Sequence, residues 1–324
     1  MSDDSTTRAA PRTLKAPAKV NLGLHVLRRR ADGYHDLDTV FVPIPWHDTL
    51  AASPAPGLHL AVSGADDLPA TDDNLVLRAA RALAAHLAST GGAATPGALL
   101  HLTKAIPHGA GLGGGSSDAA AALRLLAGLW NVSVPAAEMH ELARALGADV
   151  PFFLDPRPMR ATGIGDCLAP LAGLDGAPYR LPYPLVVVVP AGVRVATADA
   201  FRHVTPRADG RVDVGGVVAS NDLDRWRRDL VNDFEVSVVA ARPVLGALRD
   251  ALADAGAAYV SMSGSGSAFF GVFDDTARAH AAAEALRQTG HAVWHGLAGL
   301  DDLGGLDDLG GAAADEATPA ARAA

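Results

Sequence analysis

The sequence predicts a two-domain α+β protein, and three observations carry that reading. The stretch Pro107–Asp118, P-H-G-A-G-L-G-G-G-S-S-D, sets five glycines between a strand pattern and an Ala/Leu-rich helix pattern. Residues 236–295 read helix, strand, strand, helix, strand; with a strand over 185–189 in front, this is a split β-α-β layer of ferredoxin type. Between the two, Pro156, Pro158, Pro170, Pro178, Pro182 and Pro184 crowd a connecting region. With 324 residues there is material for two cores. The expected division is an N-terminal α/β domain over 14–160 and a C-terminal ferredoxin-like domain over 161–297. Disordered ends are expected over 1–13 and 298–324.

The N-terminal elements follow from periodicity. Val20, Leu22, Leu24 and Val26 alternate with Asn21, Gly23 and His25, the pattern of a half-buried strand. Arg28 to Gly33 ends in Asp-Gly and predicts a tight reversal; its three arginines read as a solvated hairpin tip. T-V-F-V restarts a strand over 38–43, and another follows over 58–62. Asp72, Asp73 and Asn74 precede apolar residues at helical spacing, an N-capped helix. A strand over 99–103 leads through Lys104-Ala105-Ile106 into the glycine stretch. Helices follow over about 117–129 and about 135–146, the second closed by Gly147.

The C-terminal half predicts a strand over 185–189 and helices over about 197–204, 222–229 and 236–253, the last closed by Gly256. Strands over 258–262 and 268–273 flank the loop S-G-S-G-S at 263–267, and a helix over 276–288 and a strand over 291–295 complete the run. The tail D-D-L-G-G-L-D-D-L-G-G has no core-forming period.

Composition narrows the function classes. The net charge of −9 argues against a nucleic-acid partner, and −5 of it sits beyond residue 300. Cys167 is the only cysteine, so no internal disulfide forms and a reducing compartment fits. Residues 1–12 hold no apolar signal region, and the longest aliphatic run, Leu185 to Val189, is too short to span a bilayer. The expectation is a soluble cytoplasmic protein. The twelve histidines show no zinc-ligand spacing.

The glycine stretch carries the chemistry. Glycine lets backbone N–H groups turn toward a ligand, and a helix start adds unpaired donors and a positive dipole end. Pro107, His108, Gly109, Ala110, Gly111, Leu112, Gly113, Gly114, Gly115, Ser116 and Ser117 thus form a candidate polyphosphate site; the plainer alternative is a flexible surface loop. Gly109-x-Gly111-x-x-Gly114 matches the dinucleotide fingerprint, but the acid expected about twenty residues later is missing. A P-loop needs a lysine after its last glycine, where Ser116 stands, and the H-R-D and D-F-G motifs of protein kinases do not occur.

The remaining pattern, P-x-G-x-G-L-G-G-G-S-S between strand and helix, resembles the phosphate loop of the superfamily of galactokinase, homoserine kinase and mevalonate kinase. A-P-A-K-V-N-L-G-L-H-V (16–26), R-A-D-G-Y-H-D-L (30–37), D-D-N-L (72–75), G-A-D-V-P-F-F (147–153), V-N-D-F-E (231–235) and S-M-S-G-S-G-S (261–267) occur in order. They make the chain similar, over about 14–296, to the branch that phosphorylates the cytidine diphosphate conjugate of methylerythritol. The resemblance implies a two-domain small-molecule kinase fold, ATP with Mg²⁺, and transfer to the 2-hydroxyl of that small-molecule acceptor.

It also implies roles for particular residues. Asp149 resembles the catalytic base and Lys19 its partner. Lys15, Lys19 and Lys104 are the only lysines in a chain rich in arginine, and ammonium and guanidinium are not interchangeable. Lys104 resembles a nucleotide contact, and Asn74 a residue lining the adenine pocket. Asn21 is implied on the substrate side. Tyr34 and His35 resemble a cytosine-recognising pair, with Phe201 as the opposite stacking ring and Thr197 beside it, although G-V-x-x-x-T-x-x-x-F matches only loosely. The S-G-S-G-S loop is expected to brace the glycine loop. No carboxylate can be assigned to the metal; Ser117 is the candidate through its hydroxyl.

Overall fold

The computed structural model describes residues 12–65, 68–91 and 97–303. Two long strands, β1 (Arg12–Arg29) and β2 (His35–Pro54), form a hairpin around the Asp32-Gly33 turn. Then come β3 (Leu58–Ser63), α1 (Leu75–Ser89), β4 (Ala98–Thr103), α2 (Gly114–Leu129) and α3 (Ala136–Leu146). A 3₁₀ turn (Pro151–Leu154), β5 (Met159–Gly163) and β6 (Cys167–Pro170) close the first half. The second half holds β7 (Pro184–Val189), α4 (Thr197–His203), α5 (Val214–Ala219), α6 (Leu223–Asp229), α7 (Glu235–Ala241) and α8 (Pro243–Asp254). It ends with β8 (Tyr259–Met262), β9 (Phe269–Val272), α9 (Thr276–Gln288) and β10 (Ala292–Leu297).

β2 organises the first sheet. It pairs with β1 along one edge; its first part pairs with β5 and its last part with β4, both antiparallel. The sheet therefore runs β3-β4-β2-β5-β6 with β1 against β2. β2 extends well past the expected strand at 38–43. Pro43 stays in the ladder opposite Lys19, and a register shift beside Pro17 and Ala18 leaves Pro45 and Trp46 outside it, where the missing N–H of Pro45 costs nothing. The second sheet has the order β10-β7-β9-β8, all antiparallel, with α8 and α9 as crossovers. That is the expected ferredoxin-like arrangement.

Several expectations are corrected by local physics. Helix 236–253 is two helices, because Pro243 lacks an N–H and forces Arg242 into an extended conformation (φ −141°, ψ 80°). α5 was not expected, since V-G-G-V-V-A has low helix propensity; the Asp213 side chain caps it by accepting from Gly216 N. α2 begins at Gly114, three residues earlier than expected. β5 and β6 lie in the stretch read as connector, and both belong to the first sheet, so the boundary at residue 160 falls within β5. Arg12 and Thr13 already pair with Ala52 and Ala51; the rest of the expected N-terminal disorder lies outside the described residues. At the other end Asp301–Leu303 forms a 3₁₀ turn with Leu303 buried, and 304–324 lie outside the described residues.

Three apolar clusters make the core. One packs α1, α2 and α3 on the first sheet. A second joins Ala18, Val20 and Leu22 of β1 and Val40 and Val42 of β2 to Leu185, Val187 and Phe270 of the second sheet. The third fills the opposite face of the second sheet against α8 and α9. The middle cluster sets the two halves on either side of one cleft.

Candidate active site

A cleft of about 570 Å³ opens where the β1–β2 hairpin, the glycine loop, the 263–267 loop and α4 meet. Lys19, Asn21, Tyr34, His35, Pro107 to Ser116, Asp149, Thr197 and Phe201 line it. Residues far apart in sequence thus face one space, as the resemblance implied.

The glycine loop enters α2 through Gly113, an N-cap in the left-handed region (φ 73°). A Cβ there would meet the Phe153 ring at 2.7 Å, so both conformation and space require glycine. Ser117 N donates to Gly113 O at 2.9 Å. The N–H groups of Gly114, Gly115 and Ser116 are therefore the helix-start donors without intrahelical acceptors. The other side of the loop is braced from the second half, as expected: Ala268 N donates to Ala110 O at 3.0 Å and Ser263 Oγ to Gly111 O at 2.9 Å. A Cβ on Gly111 (φ 80°) would lie 2.1 Å from Ser263 O.

Lys19 is buried in β1, with its ammonium at the foot of the cleft. Nζ donates to Asn21 Oδ1 at 2.6 Å and to Gly111 O at 3.1 Å, and lies 3.8 Å from Asp149 Oδ2. It also sits 5.0 Å from the centroid of the Phe41 ring. Burial pushes the ammonium below the usual lysine range, and Asp149 opposes that shift. Asn21 is oriented in turn: its Nδ2 donates to Thr39 Oγ1 at 3.0 Å, which donates to Gly23 O at 2.6 Å. Its oxygen therefore faces the ammonium. Asp149, with 35% of its side chain exposed, reaches the cleft between α3 and the 3₁₀ turn.

At the other end of the cleft, the His35 and Phe201 rings stack at 4.8 Å with 25° between their planes. Phe201 in turn meets Phe234 edge-on at 4.8 Å. The expected sandwich is thus modified: Phe201 lies against His35, and Tyr34, 61% exposed, stands at the rim. Burial first, then the nearby Arg29, lowers the His35 pKa, favouring a neutral ring. Thr197 opens α4 and shares a hydrogen bond of 3.1 Å with Ser265.

Residues 74–155 match the GHMP kinases N terminal domain, and residues 217–292 match GHMP kinases C terminal. A curated 4-diphosphocytidyl-2-C-methyl-D-erythritol kinase of Salinibacter ruber is 51% identical over 278 residues, covering 86% of this chain and 95% of that protein. The chain belongs to the GHMP kinases, and within them to the 4-diphosphocytidyl-2-C-methyl-D-erythritol kinase family. The enzyme of the same name from Chlorobium phaeobacteroides strain DSM 266 is 43% identical, over 87% of this chain and 93% of that protein. A crystal structure of 4-(cytidine 5'-diphospho)-2C-methyl-D-erythritol kinase superposes with a TM-score of 0.72 at 39% identity, covering 89% of this chain and 99% of that one. A homoserine kinase from Cytophaga hutchinsonii shares the fold, with a TM-score of 0.66 at 18% identity over 92% and 97% of the two chains.

Three residues expected at the nucleotide of this GHMP kinase do not line the cleft. Asn74 is the N-cap of α1: its Oδ1 accepts from Val76 N at 3.0 Å and its Nδ2 donates to Pro69 O at 3.1 Å. Ser117, next to Ser116 of the lining, is 1% exposed, and its Oγ has no hydrogen-bond partner among the described residues. Lys104 lies beneath the loop, its ammonium held by Asp48 and by Asp118 at 2.7 Å. Asp48, Thr39, Phe41 and Phe234 were missed by sequence reasoning, while Ser263 and Ser265 were expected only as members of the bracing loop. Asp48 sits between His47 and Thr49 of β2, a polar run that gives it no signal in the sequence.

Proposed function

We propose that this GHMP kinase transfers the γ-phosphoryl group of ATP to the 2-hydroxyl of 4-diphosphocytidyl-2-C-methyl-D-erythritol, as a cytoplasmic enzyme of non-mevalonate isoprenoid precursor synthesis. The observation that carries the reading is the Lys19–Asp149 pair, which sits between the glycine loop on one side and the His35–Phe201 shelf on the other. Among the described residues no helix is long and apolar enough to cross a membrane.

The phosphates of ATP lie on the open N–H groups of Gly114, Gly115 and Ser116, where the helix dipole adds to the attraction. The cytosine ring rests at the His35–Phe201–Tyr34 end, and Thr197 stands beside it. Asp149 takes the proton of the acceptor hydroxyl as its oxygen bonds to the γ-phosphorus and the bond to the departing ADP oxygen breaks. Lys19, 3.8 Å from Asp149, orients that carboxylate and faces the charge that develops on the phosphoryl oxygens. Asn21, fixed by Thr39, keeps the ammonium in place.

Mg²⁺ supplies charge neutralisation between the phosphates when bound. Ser117 Oγ, buried without a hydrogen-bond partner among the described residues, is the protein oxygen that would hold it. No group of three or more His, Cys, Asp or Glu among those residues forms a metal cluster, which fits an ion brought in with ATP.

ADP release with and without the cytidyl acceptor tests the function, with homoserine, mevalonate and galactose as competing acceptors. Turnover is expected with the cytidyl acceptor alone. Faster turnover on any competitor would overturn the acceptor assignment.

A further inference from the structure

The chain enters the glycine loop through Lys104-Ala105-Ile106, where all three backbone N–H groups and the Ala105 carbonyl are fixed. Lys104 N donates to Ser63 O at 2.9 Å. Asp48 Oδ1 accepts from Ala105 N at 2.6 Å and from Ile106 N at 2.8 Å. Trp46 Nε1 donates to Ala105 O at 3.1 Å. The chain leaves the loop through the start of α2, which carries Asp118. The Lys104 ammonium bonds to Asp48 Oδ2 at the entry and, at 2.7 Å, to Asp118 Oδ2 at the exit. All three side chains are at most 3% exposed. A Cβ on Gly114 would lie 3.3 Å from Lys104 Nζ and 3.4 Å from Asp48 Oδ2, so the strut lies directly beneath the first helical residue.

We infer that Lys104 is a positioning residue: one buried ammonium, shared by Asp48 and Asp118, clamps both ends of the glycine loop and sets the N–H groups that receive nucleotide phosphate. The inference rests on the phosphate site proposed above and changes the role implied for Lys104 by resemblance. The lysine acts on the nucleotide through the loop. Removing one partner of a buried ion pair leaves an uncompensated charge, so the loop ends shift to relieve it and the phosphate donors move with them.

Calorimetric titration with MgADP, and separately with CMP as a probe of the acceptor end, tests this without needing turnover. Lys104→Met and Asp118→Leu are each expected to weaken MgADP by about tenfold and to leave CMP within about twofold. The double variant is expected to weaken MgADP no more than the stronger single one, since both break the same strut. Asp118→Asn keeps an acceptor for the ammonium and returns affinity to within about threefold of wild type. If Lys104→Met weakens MgADP while folded Asp118→Leu does not, the lysine touches the nucleotide itself and the inference fails. It fails equally if the two losses add in full, or if neither variant changes affinity. A wild type that binds MgADP but phosphorylates no acceptor would sink the kinase reading and leave the strut to be judged by these affinities.

Discussion

Asp149 is half-exposed at the mouth of the cleft, whereas its partner Lys19 is buried, and this asymmetry divides their expected phenotypes. Asp149→Ala removes a proton acceptor without opening a core cavity. It should lower kcat by about 10²–10⁴-fold while MgADP still binds; a variant with near-normal kcat would remove Asp149 from the mechanism. The Lys19 ammonium is held below its usual value of 10.5 by burial, so activity that needs the charge declines as pH rises through that lowered value. Lys19→Arg cannot lose its proton in this range, so it should flatten the alkaline limb at a much lower kcat, a shape read from kcat–pH profiles of the two proteins. Asp118 gives a stability readout. Burial, with repulsion from Asp48 and against the pull of Lys104, raises its carboxyl to about 7 from 3.8. A raised acid favours the fold while protonated, so its contribution is full below 3.8 and is lost as pH rises through about 7. Asp118→Asn escapes that loss. Wild type should therefore fall behind the variant by a few kcal/mol on going from roughly pH 5 to pH 8, and a constant gap in thermal midpoints would contradict the assignment.

The elements differ in how much of them local sequence reveals. The glycine loop and α2 were legible because glycine density, a strand before and an Ala/Leu run after are contiguous signals. The ferredoxin-like sheet was legible from the order of its strands and helices. Lys19 and Asp149 stood out by rarity and by resemblance. Their 3.8 Å separation did not, since it depends on how β1 sits against the turn that follows α3. Asp48 was invisible because its importance lies in groups it meets across the fold, Ala105 and Ile106; the loop holding Ser263 was expected as a brace, but its particular bond to Gly111 was not legible. The His35–Phe201 stack likewise requires α4 to fold back over the hairpin, which periodicity does not encode. One consequence belongs to this scale. Gly113→Ala places a methyl group against Phe153 at a left-handed residue, so it should cost about 1–3 kcal/mol and weaken MgADP as well. Denaturant unfolding and titration of the same protein would show both effects, and a loss of neither would mean that the loop tolerates another conformation.

At the scale of the molecule, the two halves share a core and a backbone seam. Leu24 N donates to Val231 O and Asp233 N to Leu24 O, both at 2.9 Å, beside the Gly23 bulge in β1. Val20 and Leu22 pack in the same cluster as Val187 and Phe270. The halves should therefore unfold together, as a single calorimetric transition with equal calorimetric and van't Hoff enthalpies; two separate transitions would contradict the shared core. Phe270→Ala should lower the stability of the whole by about 3–5 kcal/mol. The seam also has a meaning for inheritance of defects. Gly111 takes its hydrogen bond from Ser263, 152 positions further along the chain, and Ser263 follows directly on a strand of the second sheet. A substitution that merely loosens that sheet will present, in an assay of the intact enzyme, as poor affinity for nucleotide.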